Sequence, residues 1–220
     1  MKRKWIFIVL LLTAMGICNS DIVNPPKDLS EYYLYFKDKN GDYGFMDRNG
    51  NIVITPQYED AWNFTEGLAL VRDKKTHLLG YINTKNELLI KPQFTSGDPF
   101  DQGYAIVSIG NKYLRKYGII DTKGNFIVQP KYSYINGFYN DIAVVAEIID
   151  EKLQFSYVNT TGQFLSNNKY EYAGVFLEEL AVVRINSKYG FVNKKGELVI
   201  TPKYENADSY FQGLAPVKKK

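Results

Sequence analysis

The stretch YGFMDRNGNIVITPQYEDAWNFTEGLALV, residues 43–71, decides the fold because the chain writes it five times. Ala69, Ala105, Ala143, Ala181 and Ala215 each stand two residues before Val71, Val107, Val145, Val183 and Val217. Twenty-seven residues before each valine stands Gly44, Gly80, Gly118, Ser156 or Gly190. That inner length is constant, whereas the links from each valine to the next unit measure 9, 11, 11 and 7 residues. A period of 34 to 38 residues with all its variation in one joint marks a repeat array.

One copy reads as β structure. Tyr43 to Asp47 is short, aromatic and extended. Asn49-Gly50 follows, a strong hairpin signal because both residues tolerate positive φ. Ile52-Val53-Ile54 is apolar and β-branched, as strands prefer. Pro56 is expected to end the strand, since proline cannot donate to a ladder. Asp47, Asn83, Asp121, Asn159 or Asn193 closes each first strand, where its side chain can bond its own backbone and set the turn. Apolar residues at 58, 61 and 64 then predict a compact loop or one helical turn. Leu68 to Val71 is a third strand, and its alanine marks a close approach of two sheets. Tyr33 to Phe36 with Asp38 to Gly41 reads as an extra third strand and its turn. The fourth copy is degraded, with Ser156 for glycine, Asn168 for proline and Glu179 for a second glycine.

The expected fold is all-β: a tandem, solenoid-like array of five three-stranded β-meander repeats, about 43–72, 79–107, 117–145, 155–184 and 189–217. A five-bladed β-propeller is the alternative. Six third strands against five hairpins favour the array. Such units cannot bury both faces alone, so neighbours must stack.

These letters resemble the WG repeat, also called the KWG Leptospira repeat, of bacterial proteins. The resemblance covers Tyr43 to Val217, although the eponymous tryptophan is replaced by Tyr43, Leu79, Tyr117, Phe155 and Tyr189. It implies a binding or scaffold module of the bacterial envelope and names no reaction.

The ends of the chain carry expectations of their own. Lys2-Arg3-Lys4 precedes the apolar run Trp5 to Leu12, the pattern of an export signal over residues 1–20. The run is too short to span a bilayer, which takes about 20 residues. Cys18, the only cysteine, lies where a bacterial lipoprotein carries its lipidated thiol, with cleavage just before it. Met15 and Ile17 depart from the strict lipobox, so ordinary cleavage after Gly16 or Ser20 is the rival reading. Residues 21–30 read as a linker and 31–220 as the repeat domain. Net charge is +3, with no basic face, which argues against nucleic acid.

No catalytic constellation is legible. His77 is the only histidine and sits in a variable joint, the place of a solvated loop residue. Asp47 to Asn51 lacks the closing glutamate of a calcium loop. The acid pairs Glu59-Asp60 and Glu178-Glu179 lie in loops. No metal, cofactor or enzyme activity is expected. Aromatics at fixed register, such as Tyr58 and Phe64 with their counterparts, read as core. The off-register aromatics Trp62, Tyr104, Tyr134, Tyr139 and Tyr172 are the binding candidates, because the repeat does not demand them. Their partner would be a protein or a cell-wall glycan, with membrane attachment through Cys18. A purely structural spacer without a ligand is the competing reading.

Overall fold

A computed structural model describes residues 33–219 apart from Lys112. The expected export segment, Cys18 and the 21–30 linker lie outside the described residues.

The array is all-β. The first sheet is β1 (Leu34–Lys37), β2 (Tyr43–Met46) and β3 (Ile52–Tyr58). The second runs β4 (Asp60–Ala61), β5 (Leu68–Arg72), β6 (Leu79–Asn83), β7 (Leu88–Phe94). The third runs β8 (Ser96–Gly97), β9 (Tyr104–Ile109), β10 (Lys116–Asp121), β11 (Phe126–Tyr132). The fourth holds β12 (Tyr134–Ile135), β13 (Ile142–Ile149) and β14 (Lys152–Asn159). The fifth runs β15 (Tyr172–Ala173), β16 (Leu180–Ile185), β17 (Lys188–Asn193), β18 (Leu198–Tyr204), and β19 (Asn206–Ala207) pairs with β20 (Val217–Lys218). Neighbours are antiparallel throughout.

The sheets straddle the sequence repeats. Val71 pairs with Gly80, Val107 with Gly118, Val145 with Ser156 and Val183 with Gly190. Each alanine–valine strand therefore folds back across the variable joint onto the next copy's hairpin. β1 does the same for β2, as the extra third strand predicted. The joint varies because it is only a hairpin loop, free to differ in length.

Stacking of these sheets makes the core. Ala69, Val71 and Ile82 of the second sheet meet Phe45, Ile54 and Tyr58 of the first. On its other face Leu70, Leu79 and Tyr81 meet Phe100, Ala105 and Val107 of the third. Ile119 and Val128 then meet Ala143, Val145 and Val158, and Val144 and Tyr157 meet Ala181, Val183 and Val192. Ala69, Ala143 and Ala181 are wholly buried, where a larger side chain would force the sheets apart.

Pro56 does not end its strand; β3 runs on to Tyr58. Opposite it the register slips, Tyr43 facing Tyr58 while Phe45 faces Ile54. The bulged segment passes so close that a Cβ on Gly44 would lie 2.5 Å from Ile54 O and 2.7 Å from Pro56 N. The glycine and the proline twelve residues on are one device: the missing side chain makes room for the bulge. Gly80, Gly118 and Gly190 repeat it with Pro92, Pro130 and Pro202. The fourth copy loses both partners together. There Ser156 faces no regular second strand, only the bridges Phe155–Tyr170 and Val158–Phe164.

The hairpin turns are also more specific than expected. Only Gly50, not Asn49, has positive φ, so the turn is a three-residue loop ending in a left-handed residue. Asp47 Oδ1 accepts the N–H groups of Asn49 and Asn51 at 2.8 and 2.9 Å. Asn83, Asp121, Asn159 and Asn193 do likewise, and so does Asp38 after β1. Hydrogen bonds hold these carboxyls below the ordinary range: chiefly the Asp42 N–H on Asp38, the Asn51 side chain on Asp47 and, against the upward push of partial burial, the Asn125 side chain on Asp121.

The segment after each proline is not helical. It holds a two-residue strand and then a two-residue turn, as at Glu66-Gly67 and Gln102-Gly103, where both residues have positive φ. Consecutive turns are tied together, since Glu66 Oε2 accepts the Gly103 N–H at 2.9 Å.

Candidate functional site

The pairing across the joints places the off-register aromatics. In the fourth sheet Tyr134 faces Ala146, which faces Phe155. In the fifth, Tyr172 faces Arg184, which faces Tyr189. Side chains opposite one another on antiparallel strands share a face. The two rows therefore continue into each other. Ring centroids lie 6.1 Å apart for Tyr134–Phe155, 6.3 Å for Phe155–Tyr172 and 6.3 Å for Tyr172–Tyr189. The rings meet at 57 to 68°, as quadrupoles prefer.

This strip is open to solvent. Tyr134 is 46 % and Tyr172 44 % exposed, with Phe155 and Tyr189 half-buried between them. Ala146, between Tyr134 and Phe155, is wholly buried. Arg184 lies 5.7 Å from the Tyr189 ring, and its Nε is 3.5 Å from Glu171 Oε2. Glu171 also accepts the Ser187 N–H at 3.0 Å. The strip so has one charged end and a neutral run of rings. The same rows in the second and third sheets are Asp60–Arg72–Leu79 and Ser96–Ser108–Tyr117. The platform is a property of two sheets, not of the fold.

The other predicted residues go elsewhere. Trp62 is partly buried against the core between the second and third sheets. Tyr139 is 48 % exposed at a turn, paired only with Ile142. Tyr104 packs on Phe138 at 4.7 Å, away from the strip. Phe155 and Tyr189 escaped the sequence reading because they occupy the regular slot before the glycine. The signal that finds them is the antiparallel count across the joint, which puts 155 opposite 146 and 146 opposite 134.

Of the fixed-register aromatics, Tyr58, Phe64, Phe94, Phe100, Tyr132, Tyr170 and Phe176 are buried in the core, as expected, whereas Phe138, Tyr204 and Tyr210 are only half-buried. His77 is exposed, its Nδ1 2.6 Å from Glu59 Oε2. Among the described residues no group of three or more metal-binding side chains converges.

A family profile described as WG containing repeat matches residues 43–75, 80–113, 117–147, 155–189 and 189–220. No curated protein matches the chain. Among solved structures, a crystal structure of a nidogen/laminin complex aligns over 78 % of this chain and 76 % of that one, at 9 % identity and a TM-score of 0.37. The structure of a putative TolB from Agrobacterium tumefaciens aligns over 77 % and 76 %, at 10 % identity and a TM-score of 0.36. Neither likeness is close enough to bear on function.

Proposed function

The chain belongs to the WG-containing-repeat family, and on that premise we propose that it is a non-enzymatic binding module whose aromatic strip stacks on an unbranched glycan. The observation that carries the reading is the run Tyr134–Phe155–Tyr172–Tyr189. Monomeric surfaces have no structural need of contiguous exposed rings, and such patches mark ligand or partner sites. Tyr134 and Tyr172 hold the same slot in consecutive sheets. Packed sheets lie about 10 Å apart, roughly the length of one disaccharide of a β-1,4-linked chain. Such a chain offers flat apolar sugar faces to the rings and hydroxyls to Arg184 and Glu171. A cell-wall polysaccharide has this chemistry.

The matching location is the bacterial envelope, with export by the 1–20 segment and a lipid anchor on Cys18. Labelling with a fatty-acid analogue is expected to vanish in Cys18→Ser; undiminished labelling would remove the anchor.

Titration with chitotetraose and cellotetraose tests the glycan. Tyr172→Ala should weaken binding about fivefold or more, since one aromatic stack contributes about 1 kcal/mol beyond area burial. Tyr134→Ala should act similarly, and Tyr139→Ala should not. Saturable binding that ignores Tyr172→Ala would refute the site. No binding of either sugar would leave the spacer reading, in which the sheets serve only as a rigid connector.

A further inference from the structure

A second recess, apart from the strip, lies between the third and fourth sheets. It is a cavity of about 250 Å³, lined among others by Asp98, Asp101, Tyr104, Ile119, Gly137 and Phe138. Two of its side chains, Asp101 and Tyr104, are peculiar to this place in the array, while Phe138 holds the regular aromatic slot and Asp98 recurs as Asp208. Tyr104 stands where the other copies have Leu68, Ile142, Leu180 and Leu214. Asp98 stands where they have Trp62, Asn136, Gly174 and Asp208. Gly137 leaves one wall open, since a Cβ there would meet nothing within 4 Å.

The backbone of the recess is fixed. Asp98 N–H donates to Ile106 O at 3.0 Å, and Asp98 O accepts the Tyr81 hydroxyl at 2.7 Å. Asp101 and Tyr104 exchange backbone bonds of 2.9 and 3.0 Å. The Tyr104 and Phe138 rings pack at 64° with centroids 4.7 Å apart. The two carboxylates, by contrast, have little to hold. Neither is in an ion pair among the described residues, and Asp101 accepts only a 3.5 Å bond from the Gln102 amide. Asp98 remains accessible to solvent, yet burial of its carboxyl in the recess pushes its pKa up. An ionised carboxylate in that position gains most from an opposite charge.

We propose that this recess binds a small organic ammonium ion, Asp98 and Asp101 supplying the charge, the Tyr104–Phe138 pair the π surface and Ile119 an apolar floor. Rings beside anionic groups favour a weakly hydrated cation carrying alkyl groups. Two carboxylates do not complete a metal's ligand set. The ammonium group is either that of a free amine or that of a lysine side chain on a partner, and the probes below separate these.

The test is an amide-resolved NMR titration of the full chain with tetramethylammonium, n-butylammonium and an acetyl-lysine-amide peptide, with tert-butanol as the neutral control. Saturable shifts are expected at Asp98, Ile106 and Gly137. Asp98→Asn should weaken binding about tenfold, as loss of a charged contact does, and Asp101→Asn by less. Tyr104→Leu installs the residue most other copies carry there, so it should fold normally and still lose affinity. Binding should fail as pH falls through the Asp98 pKa, which partial burial raises from its ordinary value. Among the described residues, the titratable groups that share the recess with Asp98 are Asp101 and Tyr104, and Tyr81 lies against it from the sheet before. Preference for the peptide over the free amines would assign the site to a protein partner; the reverse would assign it to a metabolite. Linear shifts with every cation, equal shifts with tert-butanol, or undiminished affinity in Asp98→Asn would overturn the proposal.

Discussion

Gly80→Ala is expected to destabilise the chain by about 3 kcal/mol, the upper part of the range for overpacked cores. Nothing about the φ of Gly80 demands glycine. The reason is steric: the new Cβ would lie 2.5 Å from Ile90 O and 2.8 Å from Pro92 N. Both atoms belong to a backbone held in register, Leu79 to Phe94 on one side and Tyr81 to Ile90 on the other. Neither can rotate away as a side-chain tip would. For a chain of this size the loss corresponds to roughly 6–12 °C in Tm. Ser156→Gly is the matched control. Its copy has no bulge to accommodate, and Ser156 Oγ is buried without a hydrogen-bond partner. Removing that hydroxyl offsets the entropy glycine adds to the unfolded chain, so the change should stay within about 1 kcal/mol. Thermal or urea unfolding reads both. Equal effects for the two substitutions would show that the glycine–proline device is not what the spacing records.

Tyr157→Ala is the other large effect, a loss of about 4 kcal/mol, within the range for aromatic-to-alanine changes in cores. Tyr157 is 2 % exposed. Its ring lies 4.8 Å from Phe176 and 5.8 Å from Tyr170, and its hydroxyl donates to Gly174 O at 2.8 Å. That bond crosses from the fourth sheet to the loop between β15 and β16 of the fifth. Tyr157→Phe keeps the ring and should cost about 1 kcal/mol, since it strands only the carbonyl. The lesion also has a direction. In a stack each sheet leans on its neighbours, so damage spreads to adjacent units before distant ones. Hydrogen exchange in Tyr157→Ala should speed up in β13 to β17 and much less in β2 to β6. Uniform acceleration from end to end would mean that the sheets do not act as nearest neighbours.

Period, strand content and turn chemistry were legible in the letters, because each leaves a local signature. The fixed 27-residue interval reports repetition, and the Asp or Asn before each turn reports a side chain bonding forward. A period gives phase, however, and not the edges of the folded unit. That Val71 pairs with Gly80 and not inside its own copy depends on which strands lie side by side. Pro56 taken alone signals a strand end, because its tolerance inside β3 depends on Gly44, twelve residues away and opposite. The two-residue strands such as Asp60–Ala61 are too short to show periodicity. The dipeptides Glu66-Gly67 and Gln102-Gly103 were a readable turn signal that the spacing of aromatics masked.

The site was legible in part for the same reason. Tyr134 and Tyr172 stand out because most copies lack an aromatic there. Phe155 and Tyr189 hide in the regular slot and become partners only through cross-strand pairing. The Asp98 recess arises between sheets, so no single segment could announce it.

The most direct measurement is the set of cross-strand amide and Hα contacts seen by NMR in the intact chain. Contacts of Val71 with Gly80, Val107 with Gly118, Val145 with Ser156 and Val183 with Gly190 are the expected result. They would come with methyl contacts from Ala69 and Val71 to Phe45 and Ile54 of the preceding sheet. Valines paired instead with the glycine of their own copy, Val71 with Gly44 foremost, would contradict the stack of straddling sheets on which every site described above depends.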